Sequence, residues 1–260
     1  MKAGIRNILA ATVICAVAIA LAVCLGISGK TGREMACTGL KVTVLDSAKN
    51  SFVNADDIRL CLDRDFGEYI GKPLHEIDLD KAEGIIDKRS AVLNSEAFFT
   101  RDGLLNIHVT QREAAIRFQG KTTGFYADEE GYVFPLQPNY TSHVTIVDGK
   151  IPVRIEQGYK GEIQDSKSRQ WVLDILEMVS FMKESHGWEK NIVQISVQDN
   201  GDIILVPRTG NEKFIFGGPD NFEEKFARIE KYYTAIKPAK EDGHYSSVNV
   251  KYDGQIICRE

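Results

Sequence analysis

Twenty consecutive residues without a charged side chain, Ile8 to Ile27 (ILAATVICAVAIALAVCLGI), set the first limit on what this chain can fold into. A helix rises about 1.5 Å per residue, so a stretch of this length extends about 30 Å, the hydrocarbon thickness of a bilayer. It is read as a single transmembrane helix. Lys2 and Arg6 precede it in the tail 1–7, and Ser28, Gly29 and Gly32 follow it in a linker, 28–37. Two other readings compete. Ala16, Ala18, Ala20 and Ala22 offer matches to a signal-peptidase site, but a cleaved signal has an apolar region of about 7 to 15 residues. A lipoprotein signal ending at Cys24 meets Val23, too bulky for the position before the cysteine. Charge does not orient the helix, because Lys30 and Arg33 beyond it balance Lys2 and Arg6, and long domains cross largely regardless of flanking charge.

Beyond the anchor about 225 residues remain, enough for one large domain or two ordinary ones. At 43% hydrophobic and 27% charged, the composition is that of a folded chain and not of a disordered one. A net charge of -5 argues against a nucleic-acid surface. Of five cysteines, Cys15 and Cys24 lie in the apolar stretch and Cys37, Cys61 and Cys258 are dispersed, with no C-x-x-C and no histidine spacing. Neither a disulfide framework nor a zinc site is indicated.

Taken in order, Leu40 to Asp46 alternates as a half-buried strand. A helix follows, capped by Asn54, with Val53 and Ile58 as a hydrophobic staple and Ile58, Cys61, Leu62 and Phe66 on one face. A second helix is expected near Asp80, with Glu83 completing a capping box and Ala82, Ile85 and Ile86 on its apolar side. Two extended runs, Val92 to Thr100 and Leu104 to Phe118, are joined by the turn signal Arg101-Asp102-Gly103. In the second run Leu105, Ile107 and Val109 face a core while Asn106, His108 and Thr110 face away. The order β-α-α-β-β makes a small α/β domain over residues 38–111.

From residue 112 to 260 the chain reads as a mixed β-rich domain. Hairpins are expected across Asp128-Glu129-Glu130-Gly131, across Asp148-Gly149-Lys150 (pairing Val144–Val147 with Ile151–Ile155) and across Asp199 to Asp202. A strand from Lys213 to Phe216 follows the last of these. Helices are expected from Ser166 to Glu184, with Trp171, Ile175, Val179 and Met182 at helical spacing, and from Asp220, capped with Glu223. Ser247 to Tyr252 and Gln255 to Cys258 are read as closing strands around Asp253-Gly254. The fold class is α+β, a transmembrane helix followed by these two domains.

Chemical motifs are absent. His75-Glu76 lacks the second histidine of a zinc protease, since Leu79 stands in its place. Asp128 to Glu130 is contiguous and lacks the alternating oxygen ligands of a calcium loop, which makes it a solvated hairpin tip. There is no nucleophile elbow and no phosphate-cradling loop. No catalytic residue, cofactor, metal or small-molecule substrate is expected, and the residues point to an anchored, non-enzymatic pair of domains.

This arrangement resembles the FtsQ/DivIB family of bacterial cell-division proteins. The β-α-α-β-β unit is similar to the family's POTRA domain, and LNIHVTQREAAIRF looks like its closing strand and crossing into the β-domain. FYADEEGYVFPL resembles the family's aromatic hairpin, and SSVNVKYDGQII its last strand and turn; Ala114 stands where the family often has proline. The resemblance implies a bitopic protein of the inner or cytoplasmic membrane, amino terminus inside, with its bulk outside the cytoplasm at the septum. It would scaffold the divisome, binding FtsB- and FtsL-type division proteins and linking them to septal peptidoglycan synthesis. Val248, Val250 and Tyr252 are expected to face inward while Asn249 and Lys251 point out of a polar-faced strand; either that strand lies at a sheet edge, where a partner segment could add by main-chain pairing, or it is interior structure of the β-domain. The expected contact is Ser247, Val248, Asn249, Val250, Lys251, Tyr252, Asp253, Gly254, Gln255, Ile256 and Ile257, with Tyr252 as the matching aromatic. The competing class is an exported, membrane-tethered envelope enzyme or binding module unrelated to division.

Overall fold

A computed structural model describes residues 16–20, 35–120, 123–138, 140–185, 187–240 and 245–260. Of Ile8 to Ile27 it describes only residues 16–20, which are helical and exposed; the rest of that expected span lies outside the described residues. Among the described residues no helix is long and apolar enough to cross a membrane. The chain divides into two units: the described residues up to Ser47 with Val53–Gln111, and Ala48–Phe52 with Arg112–Glu260.

The first unit contains β1 (Gly39–Val44), α1 (Ala55–Asp65), a 3-10 turn (Leu74–Glu76), α2 (Leu79–Ile86), β2 (Val92–Phe99) and β3 (Leu104–Gln111). Its sheet runs β1-β3-β2, with β1 parallel and β2 antiparallel to β3. Asn54 caps α1 by accepting from Asp56 N–H at 3.0 Å, and Ile58, Cys61 and Leu62 turn inward. Ala82 and Ile86 of α2 and Leu105, Ile107 and Val109 of β3 complete the core. Asn106 is buried as well, so the far face of the central strand is less open than simple alternation predicts.

Two expectations need correction here. α2 opens at Leu79 because the Asp78 carboxylate takes Lys81 N–H at 3.0 Å, and Glu83 closes no capping box; its carboxylate instead accepts Ala97 N–H of β2 at 2.6 Å. The run Leu104 to Phe118 is two strands and not one, since β3 ends at Gln111 and the next strand belongs to the other sheet. Asp46 holds that end, its carboxylate accepting Gln111 N–H at 3.2 Å and Gln111 Nε2–H at 3.1 Å.

The second unit adds β4 (Ile116–Gln119), β5 (Gly124–Ala127), β6 (Tyr132–Pro135), β7 (Thr145–Gly149), β8 (Gly161–Glu162), α3 (Ser166–Glu184), α4 (Trp188–Asn191), β9 (Ile192–Val197), β10 (Ile203–Pro207), β11 (Lys213–Gly217), α5 (Phe222–Lys231), β12 (Ser247–Asn249) and β13 (Ile257–Arg259). These strands form one sheet in the order β13-β12-β11-β10-β9-β7-β4-β5-β6-β8. Ile175, Met178, Val179 and Met182 of α3 and Phe226 and Ile229 of α5 share one core with Ile195, Leu205, Phe214 and Phe216 of the sheet. A β-α-α-β-β unit followed by a β-rich unit with several helices is what the residue patterns lead one to expect.

Three local readings change in this unit. Asp128 is buried, not solvated: Arg112 Nη1–H donates to its carboxylate at 2.9 Å, the same carboxylate accepts Tyr132 N–H at 2.9 Å, and the guanidinium lies 3.4 Å from the centre of the Tyr132 ring. Ile151–Ile155 forms no strand among the described residues; β7 runs parallel between β4 and β9 instead, with Lys150 N–H donating to Val197 O at 2.8 Å. α5 begins at Phe222 after Asn221 in a left-handed conformation (φ 47°), because the buried Lys225 ammonium gathers the carbonyls of Gly218 (3.0 Å) and Asp220 (2.6 Å) beneath that turn.

Candidate partner-binding edge

The expected contact segment, residues 247–257, is β12, the loop 250–256 and the first residue of β13. β12 is interior. It lies parallel to β11, with Val248 opposite Phe214, and antiparallel to β13, with Val248 opposite Cys258 and Asn249 opposite Ile257. Among the described residues the outermost strand at this end is therefore β13, and no further described strand lies on its outer side.

The strand stops at Asn249 because local bonds turn the chain. Asn249 Oδ1 accepts Lys251 N–H at 3.0 Å, Val250 N–H donates to Ile215 O at 3.0 Å, and Arg228 of α5 donates through Nε to Val250 O at 3.0 Å. A second arm of Arg228 reaches Asp253 at 3.4 Å, and Gly254 takes the left-handed φ of 70° that lets the loop reverse. Val248 and Val250 are fully buried. Tyr252 is not: at 48% exposure it points outward from the loop and not into the core, since the strand parity that would turn it inward is lost after Asn249.

Lys251 is half-buried and donates to Asp202 at 2.8 Å; that hydrogen bond to a carboxylate holds its ammonium above the usual lysine range. The lysine stem lies over Gly217, whose φ of 81° and missing Cβ leave room for it. Ser247 and Asn249 are half-buried, and Asp253, Gly254 and Gln255 are exposed. Ile256 packs on the core from the rim, Ile257 is 38% exposed, and burial pushes the Cys258 thiol up. Thus Tyr252 and Ile257 are the large apolar side chains offered outward, one on the loop and one on the edge strand. Chemically the region is a short main-chain edge flanked by an aromatic and an aliphatic side chain. No group of three His, Cys, Asp or Glu side chains among the described residues could hold a metal ion.

A sequence model of the family described as FtsQ/DivIB, C-terminal related matches residues 114–259, more than half of the chain. The chain belongs to the FtsQ/DivIB family. A POTRA-like domain model matches residues 35–110. No curated protein matches the sequence. In this FtsQ/DivIB-family chain the match reaches Arg259, and so takes in the terminal hairpin of β12 and β13.

Sequence reasoning missed residues that shape the edge. Cys258 and Arg259 form the rest of β13, Arg228 pins the loop, and Asp202 holds Lys251. Cys258 was within reach of the pattern, as the end of the strand read over Gln255 to Cys258. Arg228 and Asp202 lie 25 and 49 residues from their partners Asp253 and Lys251, and no periodicity reports such pairs.

Proposed function

We propose that this FtsQ/DivIB-family chain is a non-catalytic, membrane-anchored scaffold of the bacterial division machinery. Residues 1–7 lie in the cytoplasm, Ile8 to Ile27 cross the inner or cytoplasmic membrane, and the two units stand outside the cytoplasm at the septum. The chain binds FtsB- and FtsL-type partners and other division proteins and couples them to septal peptidoglycan synthesis. The observation that carries this reading is the family match through Arg259, on a strand that forms an open sheet edge.

An extended partner segment adds along β13, main-chain pairing supplying affinity and the Tyr252 and Ile257 side chains supplying selectivity. Depletion of the protein in its own cells, with a tagged copy imaged, is expected to give filaments and a midcell band. Normal division with uniform envelope signal overturns the division reading. The contact is tested separately by pull-down of FtsB- and FtsL-type proteins. Tyr252→Ala, on an exposed side chain, and Lys251→Glu are expected to weaken capture at least tenfold in folded protein; unchanged capture by both variants places the contact elsewhere.

A further inference from the structure

The first unit has two sheet edges, and the structure treats them differently. On β2 the outward N–H of Ala97 is taken by the Glu83 carboxylate at 2.6 Å, and Ser95 Oγ–H donates to Asp87 at 2.8 Å, so α2 is tied along that edge. A strand cannot add there without displacing a charged acceptor. Ahead of β1 the chain is also covered: Cys37 N–H donates to Lys72 O at 2.8 Å, Gly71 N–H donates to Cys37 O at 2.7 Å, and Leu74 N–H donates to Met35 O at 2.9 Å.

β1 itself pairs with β3 alone among the described strands. Val44 lies opposite Val109, and Leu45 N–H donates to Val109 O at 3.0 Å. In a parallel ladder only alternate residues bond a given neighbour, so Lys41 and Thr43 turn their N–H and C=O toward β3, and Leu40, Val42 and Val44 turn theirs to the open side.

The side chains give the same asymmetry. Leu105, Ile107 and Val109 of β3 are at most 1% exposed, whereas their register partners Leu40, Val42 and Val44 are only half-buried. On the other face Lys41 is exposed. One more strand beside β1 would pair the main-chain groups that Leu40, Val42 and Val44 turn outward, finish the burial of three apolar side chains and bring a side chain beside the Lys41 ammonium.

We propose that the outer edge of β1 is a second strand-addition site, which takes an extended segment of another protein alternating apolar residues with acidic ones. The apolar residues cover Leu40, Val42 and Val44, and a carboxylate pairs with Lys41. The site is distinct from β13 and does not rest on the division reading.

The test uses the full-length chain in mild detergent, with amide hydrogen exchange read by mass spectrometry or NMR. The probe is an end-capped peptide of eight alternating valine and glutamate residues. At saturation the Leu40, Val42 and Val44 amides are expected to exchange at least tenfold more slowly, with Ala97 unchanged. The same peptide with lysine for glutamate is expected to bind at least fivefold more weakly. Val42→Pro keeps an apolar side chain and the β1–β3 ladder but removes an outward N–H, and it is expected to abolish the protection while Ile107 exchanges as in the parent. Lys41→Glu, which leaves the backbone alone, is expected to reverse the preference between the two peptides; this keeps the test decisive if the proline variant fails to fold. Protection at β2 or β13 alone, no protection, or no reversal overturns the proposal. Concentration-dependent protection without peptide also overturns it, since the edge would then belong to a second copy of this chain.

Discussion

Tyr232 is fully buried, and its hydroxyl finds no hydrogen-bond partner among the described residues. Burial, then the charge of nearby Glu212, pushes its pKa up to about 12. In the unfolded chain the phenol ionises near 10. A group whose pKa is raised by folding contributes stability that is complete below the unfolded value and is lost as pH rises through the folded one. The second unit should therefore lose stability between about pH 10 and 12. Tyr232→Phe removes a bare buried hydroxyl at nearly constant volume; it is expected to stabilise by about 1 kcal/mol and to flatten part of that alkaline slope, read by urea unfolding at pH 8 and pH 11. Tyr233, whose pKa is also raised by burial and by Glu212, retains the remainder. Asp128 gives the opposite case. With side chains only 12% and 13% exposed, Arg112 and Asp128 form a buried ion pair, and Asp128→Ala strands a guanidinium. A loss of roughly 3 kcal/mol or more is expected in the same unfolding measurement.

At the scale of elements, β7 shows how little of a pairing pattern is written in one stretch of chain. Asp148-Gly149-Lys150 carries a hairpin signal, and the structure uses Gly149 for something else. With φ at 90° it lies against β9 so closely that an added Cβ would meet the Val197 backbone, and Lys150 N–H then bonds Val197 O at 2.8 Å. Gly149→Ala thus combines a left-handed conformation costing about 1–2 kcal/mol with a clash against backbone that cannot rotate away. Loss of several kcal/mol, or loss of folding of the second unit, is expected by circular dichroism; Gly84→Ala, in an exposed helix position with open space around its Cβ site, is the matched control and should be neutral or stabilising. The same contrast explains what could be read beforehand. Periodicity found α3 to the residue, because Ile175, Val179 and Met182 report burial through helix geometry alone. It misassigned the caps of α2 and α5, where the deciding partners are Lys81 N–H for the Asp78 cap and the Lys225 ammonium beneath Asn221. Which strand forms the edge near residue 247 was illegible for a similar reason: alternation marks a face, and only long-range pairing marks a neighbour.

At the scale of the whole chain, each unit owns a core built on a central strand, Ile107 on β3 in the first and Ile195 on β9 in the second, both with no exposed surface. Truncating a fully buried isoleucine to alanine costs about 2–5 kcal/mol, through lost transfer energy and the cavity left behind. A unit with its own core can fold as a unit, so that cost is expected to fall mainly on the unit that bears the substitution. Ile107→Ala should speed amide exchange across β1, β2 and β3 while leaving β9 and β10 protected, and Ile195→Ala should do the reverse. The functional consequence follows from the two edges. If β13 carries the division partners and β1 a separate segment, Ile107→Ala weakens binding of the valine–glutamate peptide and spares capture of FtsB- and FtsL-type proteins, whereas Ile195→Ala spares the peptide and weakens capture. Loss of both kinds of binding from either substitution would mean that the two edges do not act independently.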